Sequence, residues 1–266
     1  MKLFISADIE GCVGTTLSAE THKNEAVYQQ FAREMTEEVA AVCAACLEAG
    51  ADEIVVKDGH GDATNIDFTA LPKEVTLIRG KSGHPYNMMF GIDESFDAVL
   101  YVGYHSPAGC AGNPISHTST GNSNHIYLNG KLMSEFMLNT YTAALFGVPA
   151  VFISGDEAIC GLAKEMVPAI TTAAVKKGVG ACTINMSPEA GKELLGKRVK
   201  EALSGDFSKC RTELPENFEY VVNYKDLKKA YQMSFFPGAE RVDDATNRVV
   251  SKNWKDIVTA HSFMVY

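Results

Sequence analysis

Two acidic residues follow directly after a short apolar segment at the start of the chain. Residues 1–5 have the hydrophobicity of a buried strand, and Asp8 and Glu10 stand where such a strand would end. Residues two apart in extended chain point the same way, so both carboxylates face one small volume, and Gly11 lets the backbone turn away. Two neighbouring anions repel each other, and a bound cation relieves that repulsion. We therefore predict that these acids form half of a metal site; the alternative is a strand that ends in two solvated acids.

Histidines after two other predicted strands extend this acidic pair. A strand rich in β-branched residues leads into Asp58 and His60, and a later apolar strand leads into His105. The carboxyl ends of parallel strands meet at one edge of an open sheet, where ligands bind. We therefore expect His60 and His105 to lie near Asp8. Asp58 is expected either to orient a neighbouring ligand or to cap its own loop.

A long loop and the start of a helix add two more candidates. Residues 106–124 are rich in Gly, Ser, Asn and Pro and contain His117, and long loops inside compact domains are commonly functional. A helix predicted over residues 134–146 carries Glu135 in its first turn, from which its carboxylate can face inward. The alternatives are a histidine that only bonds a backbone carbonyl and an acid that only favours the helix dipole.

Mixed carboxylate and imidazole ligands suit zinc, manganese or iron and do not suit a calcium site. The five candidate ligands are Asp8, Glu10, His60, His105 and Glu135. A single catalytic zinc needs three protein ligands and a water, so five ligands fit two ions better. The expected bridge is Asp8, the acid nearest the strand, with Glu10 and His60 on one ion and His105 and Glu135 on the other. Two ions ~3.5–4 Å apart acidify water and stabilise both oxygens of an addition intermediate, so the implied reaction is hydrolysis.

The elements that must position these residues alternate between strand and helix. An amphipathic helix over residues 25–48 separates the first two strands, which predicts a parallel βαβ unit with a right-handed crossover. The expected fold class is therefore α/β, a three-layer α/β/α arrangement with a mostly parallel sheet. Periodic signals weaken towards the end of the chain and predict a smaller C-terminal α+β portion. We place the division near residue 165, between a metal-binding portion 1–165 and a C-terminal portion 166–266.

The composition excludes several classes of protein. With 266 residues, of which 46% are hydrophobic, the chain can bury a full core. Its 33 acidic and 24 basic residues give a net charge of -9 without a Lys/Arg cluster, so nucleic acid is not an expected partner. Neither a secretory signal nor an apolar run of membrane-spanning length is present, so we expect a cytoplasmic protein without a membrane partner. Its cysteines are then expected to be reduced, and the Cys43-x-x-Cys46 pair is best explained by core packing within a helix.

The candidate residues resemble a known family in their order and spacing. Ser6-Ala-Asp8-Ile-Glu10-Gly11 fits the signature Ser-x-Asp-x-Glu-Gly of the binuclear zinc D-aminopeptidases associated with bacterial dipeptide-transport operons. The other matching motifs are Asp58-Gly-His60, Gly103-Tyr-His105, Ser116-His117, Glu135 with Leu138-Asn139, and residues 171–176. The resemblance is specific from residue 1 to about 190 and loose beyond. The chain departs from the family in the loop around residues 109–124, which bears on substrate preference rather than on metal binding.

This resemblance implies an activity, a cofactor and an assembly. The implied enzyme is a binuclear zinc aminopeptidase that removes the N-terminal residue of short peptides or aminoacyl amides and prefers D-amino acids. Two zinc ions per subunit would be held by the five candidate ligands, with Asp8 bridging, although manganese or iron stays open. His117 matches the family's catalytic histidine; we expect it to stabilise the oxyanion or to protonate the leaving amine rather than to act as a nucleophile. The implied assembly is a homodecamer of two stacked pentameric rings with the active sites in an inner chamber.

Two other functions stay open at this point. The same binuclear site could hydrolyse another small amide or a phosphoester, although the chain has neither a phosphate-binding glycine-rich loop nor an arginine cluster near the motifs. The protein could also bind metal or peptide without catalysis. A substrate panel separates the first alternative from an aminopeptidase, and replacement of His117 separates the second.

Overall fold

The structure, a computed structural model, describes all 266 residues and contains two β-sheets. The strands of the larger sheet are β1 (Lys2–Ala7), β2 (Glu53–Asp58), β3 (Val75–Ile78), β4 (Ala98–Tyr104), β7 (Ala150–Asp156), β8 (Thr171–Val179) and β9 (Cys182–Asn185). They are ordered β3-β2-β1-β4-β7-β8-β9, and every neighbouring pair is parallel except β8 with β9. The predicted mostly parallel sheet is therefore confirmed, and the carboxyl ends of β1, β2 and β4 lie side by side.

The smaller sheet is antiparallel throughout. Its strands are β5 (Ser123–Leu128), β6 (Lys131–Leu132), β10 (Phe218–Tyr224), β11 (Ala239–Arg241) and β12 (Thr246–Ser251), in the order β11-β12-β10-β5-β6. The hairpin between β5 and β6 turns at Asn129 and Gly130, whose φ angles of 50° and 76° are those of the tight turn that the Asn-Gly pair predicts.

Helices flank both sheets. They are α1 (Tyr28–Glu48), α2 (Glu135–Ala144), α3 (Glu157–Met166), α4 (Pro188–Leu203), α5 (Leu227–Met233) and α6 (Trp254–Met264). Helix α1 packs against α4 and α2 against α3, and both pairs contact the larger sheet, whereas α5 and α6 contact the smaller one. The predicted α/β class with flanking helices is confirmed. None of these helices has both the length and the apolar composition needed to cross a bilayer.

The division expected near residue 165 does not coincide with the sheets. Strands β8 and β9 follow that residue but extend the larger sheet, and α4 packs on its core. The β5–β6 hairpin precedes that residue but belongs to the smaller sheet, because β5 pairs with β10 about 90 residues later in the chain. The hydrophobic periodicity of a segment indicates a strand but not the distant strand with which it pairs. The sequence therefore did not predict that segments from both sides of residue 165 contribute to both sheets.

Helix α2 lies between the two hydrophobic cores and carries one of the candidate ligands. Phe136 is buried in the core of the larger sheet, and Leu138 is buried in that of the smaller sheet. The indole Nε1 of Trp254 on α6 donates to Thr142 Oγ1 at 3.1 Å. At the other end of the helix, the Ser134 side chain caps it by accepting from the Met137 amide. Glu135 therefore starts a helix that is fixed on both sides.

A buried carboxyl group on α1 predicts how stability depends on pH. Glu38 is fully buried; its Oε1 accepts from the Val13 amide at 2.7 Å, whereas its Oε2 has no hydrogen-bond partner. Burial outweighs the Val13 hydrogen bond and raises the pKa of Glu38 from 4.5 to about 7. The folded protein therefore keeps a proton that the unfolded chain has lost. The resulting stability is fully present below pH 4.5 and is lost as the pH rises through about 7.

Replacing Glu38 with glutamine should remove this dependence, because glutamine keeps an acceptor for Val13 without a charge. We expect the free energy of unfolding of Glu38→Gln, relative to wild type, to rise by about 3 kcal/mol between about pH 4 and pH 8. Urea denaturation of zinc-saturated protein across this range measures the difference. The matched control is Glu37→Gln. Glu37 lies on the same helix as Glu38, and its carboxylate pairs with Lys192 of α4 at 2.7 Å. A difference in the free energy of unfolding between Glu38→Gln and wild type that stays constant with pH would contradict the prediction.

Candidate metal centre

The carboxylates of Asp8 and Glu10 converge through a turn and not, as expected, through extended chain. Strand β1 ends at residue 7, and the chain bends over residues 9–11. A Cβ atom on Gly11 would lie 1.9 Å from the carbonyl oxygen of Tyr104, so only glycine fits where this turn crosses the end of β4. Both acids are 3% exposed. The turn therefore buries two carboxylates at the carboxyl end of the sheet.

The two oxygens of Asp8 face two different groups of side chains. His60 Nδ1 lies 3.4 Å from Asp8 Oδ1 and 3.0 Å from Glu10 Oε1. His105 Nε2 lies 3.6 Å from Asp8 Oδ2 and 3.4 Å from Glu135 Oε1. All five side chains predicted as ligands thus lie together. Asp8 stands between a Glu10–His60 pair and a His105–Glu135 pair, which is the pairing expected from the sequence.

The three histidines at this centre share one feature: the nitrogen that faces away from the carboxylates bonds a backbone carbonyl. The bonds join His60 Nε2 to Thr21 O (2.8 Å), His105 Nδ1 to Ser106 O (2.9 Å) and His117 Nδ1 to Ile115 O (2.9 Å). A carbonyl oxygen only accepts, so each of these nitrogens donates its hydrogen. In the neutral ring the opposite nitrogen then presents its lone pair to the cluster, as in histidines that bind metals.

His117 occupies a different position from the five candidate ligands. Its ring stacks on that of His105, with centroids 4.4 Å apart and planes 21° apart, and its Nε2 lies 3.9 Å from Glu135 Oε1. Its side chain is 24% exposed, whereas that of His105 is 1% exposed. His117 therefore lies over the cluster on the side that is open to solvent.

The ionisable groups at this centre shift one another's pKa values. Burial and the nearby Glu10 raise the pKa of Asp8. Burial would lower the pKa of His60 and His105, but the neighbouring carboxylates outweigh it and raise both, that of His105 to about 10. The carboxylates therefore favour positive charge at the positions of both imidazoles.

Donor geometry gives a direct test of whether the residues fit a metal ion. Glu10 Oε2 and His105 Nε2 are buried without a hydrogen-bond partner, and bound cations would satisfy both atoms. The possible ligand atoms of Asp8, Glu10 and His105 lie within 4.8 Å of one another, as do those of His105, His117 and Glu135. These carboxylate and imidazole donors match the ligand preferences of zinc, so the residues present are suited to hold zinc ions.

Asp58 caps the loop that carries His60. Its Oδ2 accepts from the amides of Asn65 and Ile66, at 2.6 and 2.9 Å. Asn65 Nδ2 in turn donates to the backbone oxygen of His60 at 2.7 Å. Of the two roles considered for Asp58, loop capping is therefore the one observed, and it fixes the backbone of His60 through Asn65.

A network on the other side of the centre was not predicted. Ser119 has a φ of 63°, and its amide donates to Glu135 Oε1 at 2.7 Å. Its Oγ bonds Nε2 of the buried His261 at 2.8 Å, and burial lowers the pKa of that imidazole to about 4. No partner of His261 could be predicted from the sequence, because Ser119 and His261 are separated by 142 residues. The only available signal was a histidine within the apolar pattern of α6.

The turn that carries Glu10 is held by a buried lysine and an asparagine whose roles were not predicted from the sequence. Lys176 on β8 is 4% exposed, and its ammonium donates to the backbone oxygens of Glu10 and Thr15. Asn113 Nδ2 also donates to the Glu10 oxygen, at 3.0 Å. Two side chains from distant segments therefore fix the backbone of Glu10.

The centre opens into a cavity of about 500 Å³. Its lining is mostly polar and includes His60 and His117 together with Lys81, Lys225 and Tyr266. A cavity of this size suits a short, polar ligand. Clustered carboxylates and imidazoles at its floor can hold cations, and His117 can exchange a proton with a molecule in the cavity.

Comparisons with known proteins agree with this geometry. The chain is 29% identical to the D-aminopeptidase of Bacillus subtilis (strain 168) over 266 residues, which covers 100% of this chain and 96% of that protein. The fold superimposes with a TM-score of 0.92 on the Zn-dependent D-aminopeptidase DppA from Bacillus subtilis, described as a self-compartmentalizing protease. That structure is 27% identical in sequence, and the match covers 100% of this chain and 97% of the other. The model of the family described as D-aminopeptidase matches residues 1–263. This chain therefore belongs to the D-aminopeptidase family of peptidases.

Proposed function

We propose that the protein is a binuclear zinc aminopeptidase that removes the N-terminal residue of short peptides or aminoacyl amides, with a preference for D-amino acids. The observation that carries this proposal is the position of Asp8, whose two oxygens face two separate histidine–carboxylate pairs at the floor of a polar cavity. The zinc dependence and D-aminopeptidase activity named for the relatives support it.

The five buried side chains have distinct roles in this proposal. Asp8 would be shared by two zinc ions, Glu10 and His60 would hold one of them, and His105 and Glu135 would hold the other. When bound, the ions supply an acidified water and a positive charge that polarises the scissile carbonyl. The carbonyl bonds to the far nitrogens of His60 and His105 keep both rings in the tautomer that this role requires.

His117 acts as the general acid–base group. Its Nδ1 is bonded to the Ile115 carbonyl, so Nε2 is the atom that faces the cavity and exchanges protons. Nε2 of the neutral ring takes up the proton that the attacking water loses. The resulting imidazolium donates a hydrogen bond to the oxyanion that forms at the carbonyl and then passes the proton to the leaving amine. Stacking on His105 holds the imidazole in the orientation that this transfer needs.

The proposed substrate is a short peptide. A cavity of about 500 Å³ has room for a few residues but not for a folded chain.

For the assembly we propose a homodecamer of two pentameric rings, which the self-compartmentalizing description of the Bacillus subtilis enzyme supports. Sedimentation velocity of the purified protein tests this assembly: a ten-subunit species is expected, and a stable monomer at micromolar concentration would refute it.

A substrate panel tests the proposed reaction. Zinc-loaded protein should release the first amino acid from D-alanine amide and D-alanyl dipeptides, and more slowly from their L-counterparts. The N-acetylated dipeptides are the matched controls; blocking the amine should stop release by an aminopeptidase but not by a general amidase. An aryl phosphate tests the phosphoester alternative and should not be hydrolysed. Release of amino acid from none of the free-amine substrates would refute the proposed function.

A further inference from the structure

Lys81 projects into the proposed substrate cavity from a turn with a fixed backbone. It follows β3 and the turn residue Gly80, whose φ is 88°. The fully buried Lys57 on β2 donates to the Gly80 oxygen at 2.9 Å and to the Asp58 oxygen at 2.7 Å. The end of β3 is thereby tied to the end of β2, and Lys81 stands beside the turn that carries His60.

The ammonium of Lys81 is held in place by neutral partners. Its Nζ donates to the Gly59 oxygen at 3.0 Å and to Asn87 Oδ1 at 2.7 Å, and no carboxylate pairs with it. Asn87 is itself fixed, because its Nδ2 donates to the Tyr266 hydroxyl at 2.5 Å. An ammonium has three N–H donors, so one remains for a ligand. Lys81 is therefore a positioned ammonium that makes no direct ion pair, and the carboxylates of Glu135 and Asp8 act on it only from a distance.

The charges that line the cavity indicate what this ammonium would bind. Every acidic side chain in the lining, namely Asp8, Glu10 and Glu135, belongs to the proposed metal centre, and the lining lysines are Lys81 and Lys225. Both lysines are exposed; the ammonium of Lys225 makes no bond within the protein, whereas that of Lys81 donates to the backbone oxygen of Gly59, the residue before His60. Lys81 is therefore the lysine that is fixed close to the centre.

A peptide substrate has one negative group that must lie near the centre. In a dipeptide the free carboxylate lies one residue beyond the scissile bond, a span of ~3.5 Å along extended chain. We propose that Lys81 binds the C-terminal carboxylate of the substrate, which makes short peptides with a free carboxylate the preferred class over the corresponding amides. This inference rests on the proposed function, because it assumes that the peptide bond is cleaved at the metal centre.

The test compares D-alanylglycine with D-alanylglycinamide in the zinc-loaded protein. Wild type should cleave the free acid with the higher kcat/KM. Lys81→Met should lower the ratio of kcat/KM for acid over amide about ten- to hundredfold, through a higher KM for the acid, because it removes a charge-assisted hydrogen bond. Lys81→Arg should restore part of the ratio. Taking the ratio cancels the difference between the two leaving amines.

A matched variant and a binding measurement make the test specific. Lys225→Met removes the same charge from the same cavity and should change the ratio less than about threefold, since a mobile surface charge contributes little. Calorimetry with zinc-loaded His117→Ala protein should show tighter binding of the acid than of the amide, and adding Lys81→Met should remove that difference. An unchanged ratio in Lys81→Met, or a loss of the ratio in Lys225→Met alone, would overturn the inference. A wild-type protein that cleaves neither substrate would instead refute the proposed function.

Discussion

Replacing Asp8 with asparagine should lower the zinc content of the purified protein from two ions per subunit to one or none. Both oxygens of Asp8 face a histidine, His60 on one side and His105 on the other, so the side chain contributes to both proposed positions. Asparagine keeps the shape but replaces one oxygen with an amide nitrogen, which cannot bind a cation. Since a two-metal centre stabilises the transition state by several kcal/mol, kcat/KM should fall by more than about a thousandfold.

Elemental analysis and steady-state kinetics on the same preparation measure both effects of Asp8→Asn. Asp62→Asn is the matched control, because this exposed carboxylate pairs with Lys23 at 2.6 Å and lies outside the cluster. The control should keep both ions and full activity. An Asp8→Asn protein with two tightly bound zinc ions would show that Asp8 is not the bridge.

Replacing His117 with alanine should leave the zinc content unchanged and lower kcat by about 10²- to 10⁴-fold, the usual contribution of a general acid–base group. The ring lies over the cluster and its Nε2 is 3.9 Å from Glu135, so it is placed to act on a ligand rather than to hold an ion. A protein that only binds metal or peptide would have no turnover to lose.

Measuring zinc content and kcat separately in His117→Ala distinguishes a role in proton transfer from a role as a metal ligand. His125→Ala is the matched control, since this imidazole stacks on Tyr127 in the smaller sheet and does not line the cavity. If His117→Ala loses one zinc ion, His117 is a ligand. If it keeps both ions and its full kcat, the assigned role in proton transfer is wrong.

The sequence was sufficient to predict that the side chains of the candidate metal centre lie together, for a physical reason. Asp8, His60 and His105 each follow a strand whose type is clear from local hydrophobicity, and parallel pairing brings the carboxyl ends of these strands to one edge. Glu135 was predictable because Ser134 and the following periodic residues mark the start of a helix.

Features that depend on distant pairings could not be derived in this way. The close approach of Gly11 to the end of β4 was not predicted, although the turn itself was. The placement of the β5–β6 hairpin in the smaller sheet reflects its pairing with β10. The bond between Ser119 and His261 likewise exists only once α6 packs beside the loop. Local propensity carries no information about such partners.

Anomalous X-ray scattering at the zinc absorption edge tests the central claim most directly. Crystals of the zinc-loaded protein should show two anomalous peaks per subunit, ~3.5–4 Å apart, one on each side of the Asp8 carboxylate. One peak should lie against Glu10 and His60 and the other against His105 and Glu135. A single peak, or peaks away from Asp8, would contradict the proposed binuclear centre.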